Sequence, residues 1–183
     1  MKTISVPTRE QVDAKSQQIF DQLKGQLGMV PNLYAKIGYS SEALENFLNF
    51  SGKAGKGSFS NKEIEAIKLA VAEVNGCEYC LAAHTAIGKM NGFTEEDTLK
   101  LRNASIEDDK LRVLTSLAKD VAQNRGKANR NVVEDFFAAG YDEKALIDFI
   151  SAVIEITFTN YTHGLTQIPV DFPKAQTLRK ETV

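Results

Sequence analysis

The stretch "SNKEIEAIKLAVAEVNGCEYCLAAH", Ser60 to His84, decides the fold because it predicts two successive helices with a break between them. Ser60 is a favourable N-cap residue, and Glu63 three positions later completes a capping box. Isoleucine and valine then recur at the helical period, at positions 64, 67, 71 and 74. The Asn-Gly pair at 75–76 ends this pattern, so a second helix is expected to start with Cys77 in its first turn.

The rest of the chain also has helical periodicity, interrupted by cap and turn residues. Amphipathic segments predict further helices over 8–28, 40–57, 94–105, 107–126, 129–140 and 141–164. No segment shows the alternating pattern of a strand. We therefore expect one all-α domain over 1–183, with a core around the cysteines at about 40–125. The tail 165–183, which contains Pro169 and Pro173, is expected to form an extended strap.

Composition and charge exclude several classes of function. The chain has 183 residues, 43% of them hydrophobic, and a net charge of -2 from 22 basic and 24 acidic residues. No basic block is present, which argues against nucleic-acid binding. The first 20 residues lack the apolar core of a signal peptide, and no stretch approaches a membrane-spanning length. These features lead us to expect a soluble cytoplasmic protein.

One internal repeat relates the segment from Phe59 to the segment from Tyr141 at a shift of 82 residues. The identical pairs under this shift are Lys62/Lys144, Ala70/Ala152, Val71/Val153, Glu73/Glu155 and Tyr79/Tyr161. Threonines then stand where the two cysteines stand. The alignment predicts a duplicated helix pair that kept thiols in its first copy, and the alternative is that both segments are simply core helices.

Both cysteines and one of the two histidines lie within eight residues, Cys77 to His84. On a helical wheel Cys77, Cys80 and His84 fall within about 60° of one another. Free backbone N–H groups and the dipole at the helix start favour a thiolate at Cys77. His84, one turn after Cys80, could accept a thiol proton. Two cysteines at this spacing in a reducing cytosol are typical of redox, catalytic or metal sites.

Three interpretations of this cluster follow from the residues alone. A redox C-x-x-C of thioredoxin type would need a βαβ setting, which this sequence lacks. A zinc site would use Cys77, Cys80, His84 and the distant His163. The third interpretation is two buried thiols and a core histidine without chemistry.

A wider pattern resembles a known family. Glu65, Cys77, Cys80 and His84 give the spacing Glu-x11-Cys-x2-Cys-x3-His. With the flanking "LAVAEVNGCEYCLAAH", this spacing is similar to the signature of the AhpD-like alkylhydroperoxidases of the carboxymuconolactone decarboxylase family. "GMVPN" at 28–32 and "FTNYTHGLTQIPVDFP" at 158–173 resemble its peroxidase-related branch.

The resemblance implies an all-α AhpD-like fold, assembled as a homo-oligomer (trimer or hexamer), and a thiol peroxidase. By the same resemblance, Cys80 attacks the hydroperoxide, Cys77 resolves the product as a disulfide, and His84 with Glu65 relays protons. The redox-active Cys77–Cys80 pair then needs no bound cofactor and no metal. A thiol or lipoyl-type reductant restores the dithiol, and a peroxiredoxin is a further implied partner.

Some points stay open at the level of sequence. The founding members of the family carry a histidine directly before the second cysteine, where this chain has Tyr79. Helix position favours Cys77 as the attacking thiol, whereas proximity to His84 favours Cys80. Glu65 alternatively forms a surface pair with Lys68, and His163 either lines the same cavity or caps its own helix end. General disulfide reduction, lactone decarboxylation and a non-catalytic zinc or structural role are the other functions considered.

Overall fold

A computed structural model describes residues 4–178 and shows an all-α architecture, as the sequence predicts. A short 3-10 helix, Arg9–Gln11, precedes nine α-helices in this part of the chain, and no β-strand occurs in it. The α-helices are α1 Ala14–Leu27, α2 Asn32–Ile37, α3 Ser41–Ser51, α4 Asn61–Val74, α5 Glu78–Met90, α6 Glu95–Asn103, α7 Asp109–Gln123, α8 Arg130–Ala138 and α9 Glu143–Thr166.

The predicted signals at both ends of α4 are confirmed. The Ser60 hydroxyl accepts a hydrogen bond from the Glu63 backbone N–H, and the Glu63 carboxylate accepts one from the Ser60 N–H. At the other end Asn75 is the C-cap, and Gly76 has the positive φ of +62° that glycine adopts without strain. The chain therefore turns sharply from α4 into α5 at the predicted break.

Helix α4 is the centre of the fold and packs against α5, α6, α7 and α9. It is buried on nearly every side, because Ala66, Ile67, Leu69, Ala70 and Val71 are all fully inaccessible to solvent. A helix that is apolar around most of its circumference must lie inside the protein rather than on its surface. A polar group on the buried part of α4 therefore depends on partners from the surrounding helices.

Two predicted boundaries differ from the structure. Thr8 caps the 3-10 helix, and α1 begins only after Asp13, whose carboxylate accepts from the Ser16 N–H. Helix α9 continues to Thr166, so the extended strap starts at Gln167, two residues later than predicted. Within the described chain the strap runs to Leu178, and the predicted residues 179–183 lie outside it.

Helix α9 bears on the predicted repeat. It packs against α4, yet it runs unbroken past Thr157 and Phe158, the counterparts of the break at 75–76. The duplication of a helix pair stays a prediction. None of the described helices combines the length and apolar character that a membrane span requires.

The first prediction concerns the burial of α4. Ile67→Ala should lower the free energy of unfolding by about 2–5 kcal/mol, because truncation leaves a cavity at a fully buried position. The matched control, Ile4→Ala, removes the same atoms from a side chain that is 53% exposed and should change stability by less than about 0.5 kcal/mol. Urea unfolding followed by circular dichroism measures both, and equal losses would contradict the central position of α4.

Candidate active site

The two cysteines lie at the junction between α4 and α5. Cys77 is the N-cap of α5, one residue before the first turn in which the sequence places it. Its sulfur accepts a hydrogen bond from the Cys80 backbone N–H at 3.2 Å, as an N-cap oxygen would. Both residues are free thiols, and each is at most 2% exposed. The geometry thus joins a helix start to a buried dithiol.

The electrostatic environment distinguishes the two sulfurs. The hydrogen bond from the Cys80 thiol lowers the pKa of Cys77, and so do the Cys80 backbone N–H and the Asn160 amide, against the effect of burial. The hydrogen bond with Cys77 raises the pKa of Cys80, and burial and the charge of Cys77 raise it further. The surroundings of the reduced pair therefore favour a thiolate at Cys77 over a thiolate at Cys80.

Glu65 and His84 form the second part of the site. Glu65 Oε2 lies 2.7 Å from His84 Nδ1, and Glu65 is only 6% exposed. This contact joins α4 to α5 and orients the imidazole next to the turn that carries Cys80. The alternative of a surface pair between Glu65 and Lys68 is wrong, since both residues are buried and Lys68 has a different partner.

Lys68 pairs with Glu155, which the sequence analysis did not identify. Lys68 Nζ lies 2.8 Å from Glu155 Oε2, with only 11% and 4% of the two side chains exposed. Ser51 donates a hydrogen bond of 2.7 Å to Glu155 Oε1. The sequence does contain a signal for this pair, because Lys68 and Glu155 each lie within an apolar helix. Charged groups in such positions need buried partners of opposite charge.

These groups face a cavity of about 480 Å³. Its wall combines buried charges and hydroxyls with aliphatic, aromatic and methionine side chains, and Cys80 lines it, whereas Cys77 is not among the described lining residues. The ionisable and hydroxyl-bearing members are Tyr34, Ser51, Glu65, Lys68, Tyr79, Cys80, His84, Glu155 and Thr159. An apolar cavity with a few convergent polar groups is typical of a small-molecule site.

Tyr79 stands where the founding family members have a histidine, and its hydroxyl links three sequence motifs by hydrogen bonds. Its hydroxyl donates to Asp171 Oδ1 at 2.6 Å and accepts from the Leu33 N–H at 3.2 Å. Asp171 Oδ2 accepts from the Asn32 N–H at 2.7 Å. The motifs "GMVPN" and "PVDFP" thereby meet at the residue between the two cysteines. Burial and the hydrogen bond to Asp171 raise the pKa of Tyr79, so its hydroxyl remains a donor.

His163 is a packed residue near the end of α9. It is buried, its Nε2 lies 3.2 Å from the Ile168 carbonyl, and its ring centroid is 5.6 Å from that of Tyr79. His163 thus contacts the chain two residues beyond the end of α9, which resembles the predicted role of capping its own helix end. Among residues 4–178, no group of three or more His, Cys, Asp or Glu side chains is arranged to hold a metal ion.

The fold and the site define an all-α protein with a buried C-x-x-C dithiol beside a glutamate–histidine pair. The sequence model of the carboxymuconolactone decarboxylase family matches residues 41–109. A search of curated proteins gives no match.

Several solved structures share the fold. A peroxidase-related protein from Silicibacter sp. TM1040 is 22% identical with a TM-score of 0.78, over 92% of each chain. A peroxidase-related protein from Ralstonia eutropha JMP134, described as an alkylhydroperoxidase AhpD core, is 17% identical with a TM-score of 0.79, over 91% of this chain and 90% of that one. A variant of the debrominase Bmp8 in complex with 2,3,4-tribromopyrrole is 13% identical with a TM-score of 0.78, over 93% and 92%.

The family match over residues 41–109 and the fold shared with AhpD and peroxidase-related structures agree with the resemblance to AhpD-like proteins of the carboxymuconolactone decarboxylase family. The predicted resemblance and the all-α AhpD-like fold are confirmed. The match begins at the start of α3 and ends at the start of α7, so it includes all four residues of the motif.

The second prediction concerns the charge on the dithiol. Thiolate absorbance at 240 nm should show a step below the ordinary cysteine pKa of about 8.5, because Cys77 is stabilised as the anion. Cys77→Ser should remove this step. Cys80→Ala should keep it but move it to higher pH, since the strongest hydrogen bond to the thiolate is lost. An unchanged midpoint in Cys80→Ala would contradict the assignment.

Proposed function

We propose that this protein is a thiol-dependent peroxidase that reduces hydroperoxides with its Cys77–Cys80 dithiol. The observation that carries the proposal is that Cys80, His84 and Glu65 line the same cavity. The Cys77 sulfur lies next to Cys80 and accepts a hydrogen bond from its backbone N–H. The overall reaction converts a hydroperoxide and the dithiol into an alcohol, water and a disulfide. A peroxidase reaction is consistent with the family match and with the peroxidase-related proteins that share the fold.

In the first step Cys80 becomes the nucleophile. The reduced pair carries one negative charge and one proton, and transfer of that proton from Cys80 to Cys77 produces a thiolate that faces the cavity. This transfer reconciles the two arguments from sequence: Cys77 stores the charge at the helix start, and Cys80 presents it to the substrate. The Cys80 thiolate attacks the terminal peroxide oxygen, the O–O bond breaks, and a sulfenic acid forms.

The leaving alkoxide must gain a proton inside a cavity with buried walls. His84 in its protonated form supplies that proton, and the Glu65 carboxylate at 2.7 Å stabilises the imidazolium and fixes its orientation. The neutral imidazole next accepts the Cys77 thiol proton and delivers it to the departing hydroxide. Cys77 thereby forms a disulfide with Cys80, and water is released.

An external dithiol closes the cycle. The disulfide is reduced by a small thiol or a lipoyl-type dithiol, which is itself oxidised. A slender reductant suits this site, because both sulfurs are buried and Cys80 is reached through the cavity. We also propose a homo-oligomer, consistent with the exposed apolar side chains along α9, Ile147, Ile150, Ile154, Phe158, Tyr161 and Leu165.

A second candidate is reductive dehalogenation of an aromatic ring by the same dithiol. Two observations favour it, namely the debrominase of the same fold and the aromatic side chains of Tyr34, Tyr79 and Phe172 around the cavity. The reaction would replace bromine on carbon with hydrogen, release bromide and a proton, and leave the Cys77–Cys80 disulfide. The two functions differ in the product that accompanies this disulfide, an alcohol or bromide.

The third prediction tests the peroxidase with cumene hydroperoxide and dihydrolipoamide. Cys80→Ser and Cys77→Ser should abolish turnover, and Glu65→Gln should lower kcat/KM by about 10²-fold or more because the proton relay is broken. Glu143→Gln, an exposed substitution at the start of α9, is the matched control and should keep wild-type rates.

Four outcomes separate the candidate functions. Turnover that persists in Cys80→Ser contradicts the mechanism. Bromide release from tribromopyrrole without consumption of hydroperoxide supports the dehalogenase. Reduction of protein disulfides without consumption of either substrate indicates a general disulfide reductase, and activity after complete alkylation indicates a decarboxylase-like enzyme.

A further inference from the structure

We infer that Asn160 is a positioning residue whose side-chain N–H groups hold the negative charge of the dithiol. The inference rests on the thiol chemistry of the proposed function but concerns a residue outside the family motif. Asn160 lies on α9 directly after Thr159, whose Oγ1 is 3.7 Å from Cys80 Sγ. Asn160 therefore lies on the helix that packs against both α4 and α5 next to the dithiol.

The orientation of the Asn160 amide is set by a second asparagine. Asn75 Nδ2 donates to Asn160 Oδ1 at 2.8 Å, and Asn75 is the C-cap of α4, two residues before Cys77. With its oxygen directed to Asn75, the Asn160 side chain presents its nitrogen on the other side. The break between α4 and α5 thus fixes both the sulfur of Cys77 and the amide that faces it.

The Asn160 Nδ2 atom is buried and has no hydrogen-bond partner among the described residues. The residue as a whole is 3% exposed. A buried donor without an acceptor is costly, by about 1–3 kcal/mol, and native proteins rarely leave one. The neighbouring Thr159 hydroxyl contacts the Cys80 sulfur, and the Asn160 amide lowers the pKa of both Cys77 and Cys80.

A thiolate resolves this unpaired donor. When the dithiol is anionic, the Asn160 N–H groups gain a charged acceptor whichever sulfur holds the charge, so the amide tolerates proton transfer between them. The neutral disulfide offers a much weaker acceptor. Asn160 therefore favours the reduced, charged form of the pair without contacting the substrate.

Substitution of Asn160 changes none of the other ionisable groups around the dithiol. They come from α2, α4, α5, α9 and the strap, and they are Tyr34, Glu65, Lys68, Tyr79, His84, Glu155, His163 and Asp171. A change in thiolate titration on substitution of Asn160 consequently reports the amide itself.

The fourth prediction uses two variants of Asn160 in the full-length protein. Asn160→Asp keeps the oxygen that Asn75 contacts but removes the N–H donors and places a carboxylate beside the sulfurs. Asn160→Leu has similar volume and neither donor nor charge. Both should raise the midpoint of the 240 nm thiolate titration, Asn160→Asp by about one unit or more, which corresponds to a tenfold lower thiolate fraction.

The pH profile separates positioning from a merely structural role. If Asn160 acts through the thiolate, kcat/KM for hydroperoxide falls near neutral pH and recovers as pH rises above the new midpoint. A loss by one constant factor at all pH values, or an unchanged titration in a folded variant, overturns the inference. The titration needs no substrate, so it decides the role of Asn160 even if the protein is not a peroxidase.

A measurement on the unmodified protein covers the case in which the variants do not fold. The Asn160 side-chain N–H resonances should titrate with the same midpoint as the 240 nm absorbance and shift when the disulfide forms. Resonances that stay unchanged through both transitions overturn the inference.

Discussion

Two ionised side chains on one buried helix constrain the whole site. Glu65 and Lys68 stand one turn apart on α4, which otherwise carries aliphatic residues on most of its surface. Each charge is paired at hydrogen-bond distance with a residue of a different helix, Glu65 with His84 of α5 and Lys68 with Glu155 of α9. A buried charge that loses its partner costs several kcal/mol, so these pairs fix α5 and α9 against α4. The dithiol lies where those three helices meet.

The dithiol and its surroundings divide the chemistry among elements that are distant in sequence. The start of α5 supplies hydrogen bonds that favour charge on Cys77, while the cavity gives access to Cys80. Helix α9 contributes the Thr159 hydroxyl, which contacts the Cys80 sulfur, and the unpaired side-chain nitrogen of Asn160. Tyr79 stands where the founding members of the family have a histidine. Its hydroxyl makes hydrogen bonds to the strap and to the start of α2, and it thereby holds both segments against the site.

Local signals in the sequence predict the helices and the break at 75–76, because caps, glycines and the apolar period act over a few residues. They also place Cys77, Cys80 and His84 on one face of α5. Glu65 is different: its helix position looked polar beside Lys68, and the family spacing was needed to connect it with His84. The structure explains why, since Lys68 is paired with Glu155, which lies 87 positions farther along the chain. Contacts of this range leave no periodic pattern, and the same holds for Asn160 and for the hydrogen bond between Tyr79 and Asp171.

A single turnover of the reduced protein tests most directly whether Cys80 attacks the hydroperoxide and Cys77 resolves the product. One equivalent of an alkyl hydroperoxide should convert the free thiols into one intramolecular Cys77–Cys80 disulfide, with one equivalent of alcohol, as measured by mass spectrometry of alkylated peptides. In Cys77→Ser the same treatment should stop at a sulfenic acid on Cys80. Thiols that remain free after the equivalent is added, or a sulfenic acid that forms on Cys77 in Cys80→Ser at the wild-type rate, would contradict the central claim that Cys80 attacks and Cys77 resolves.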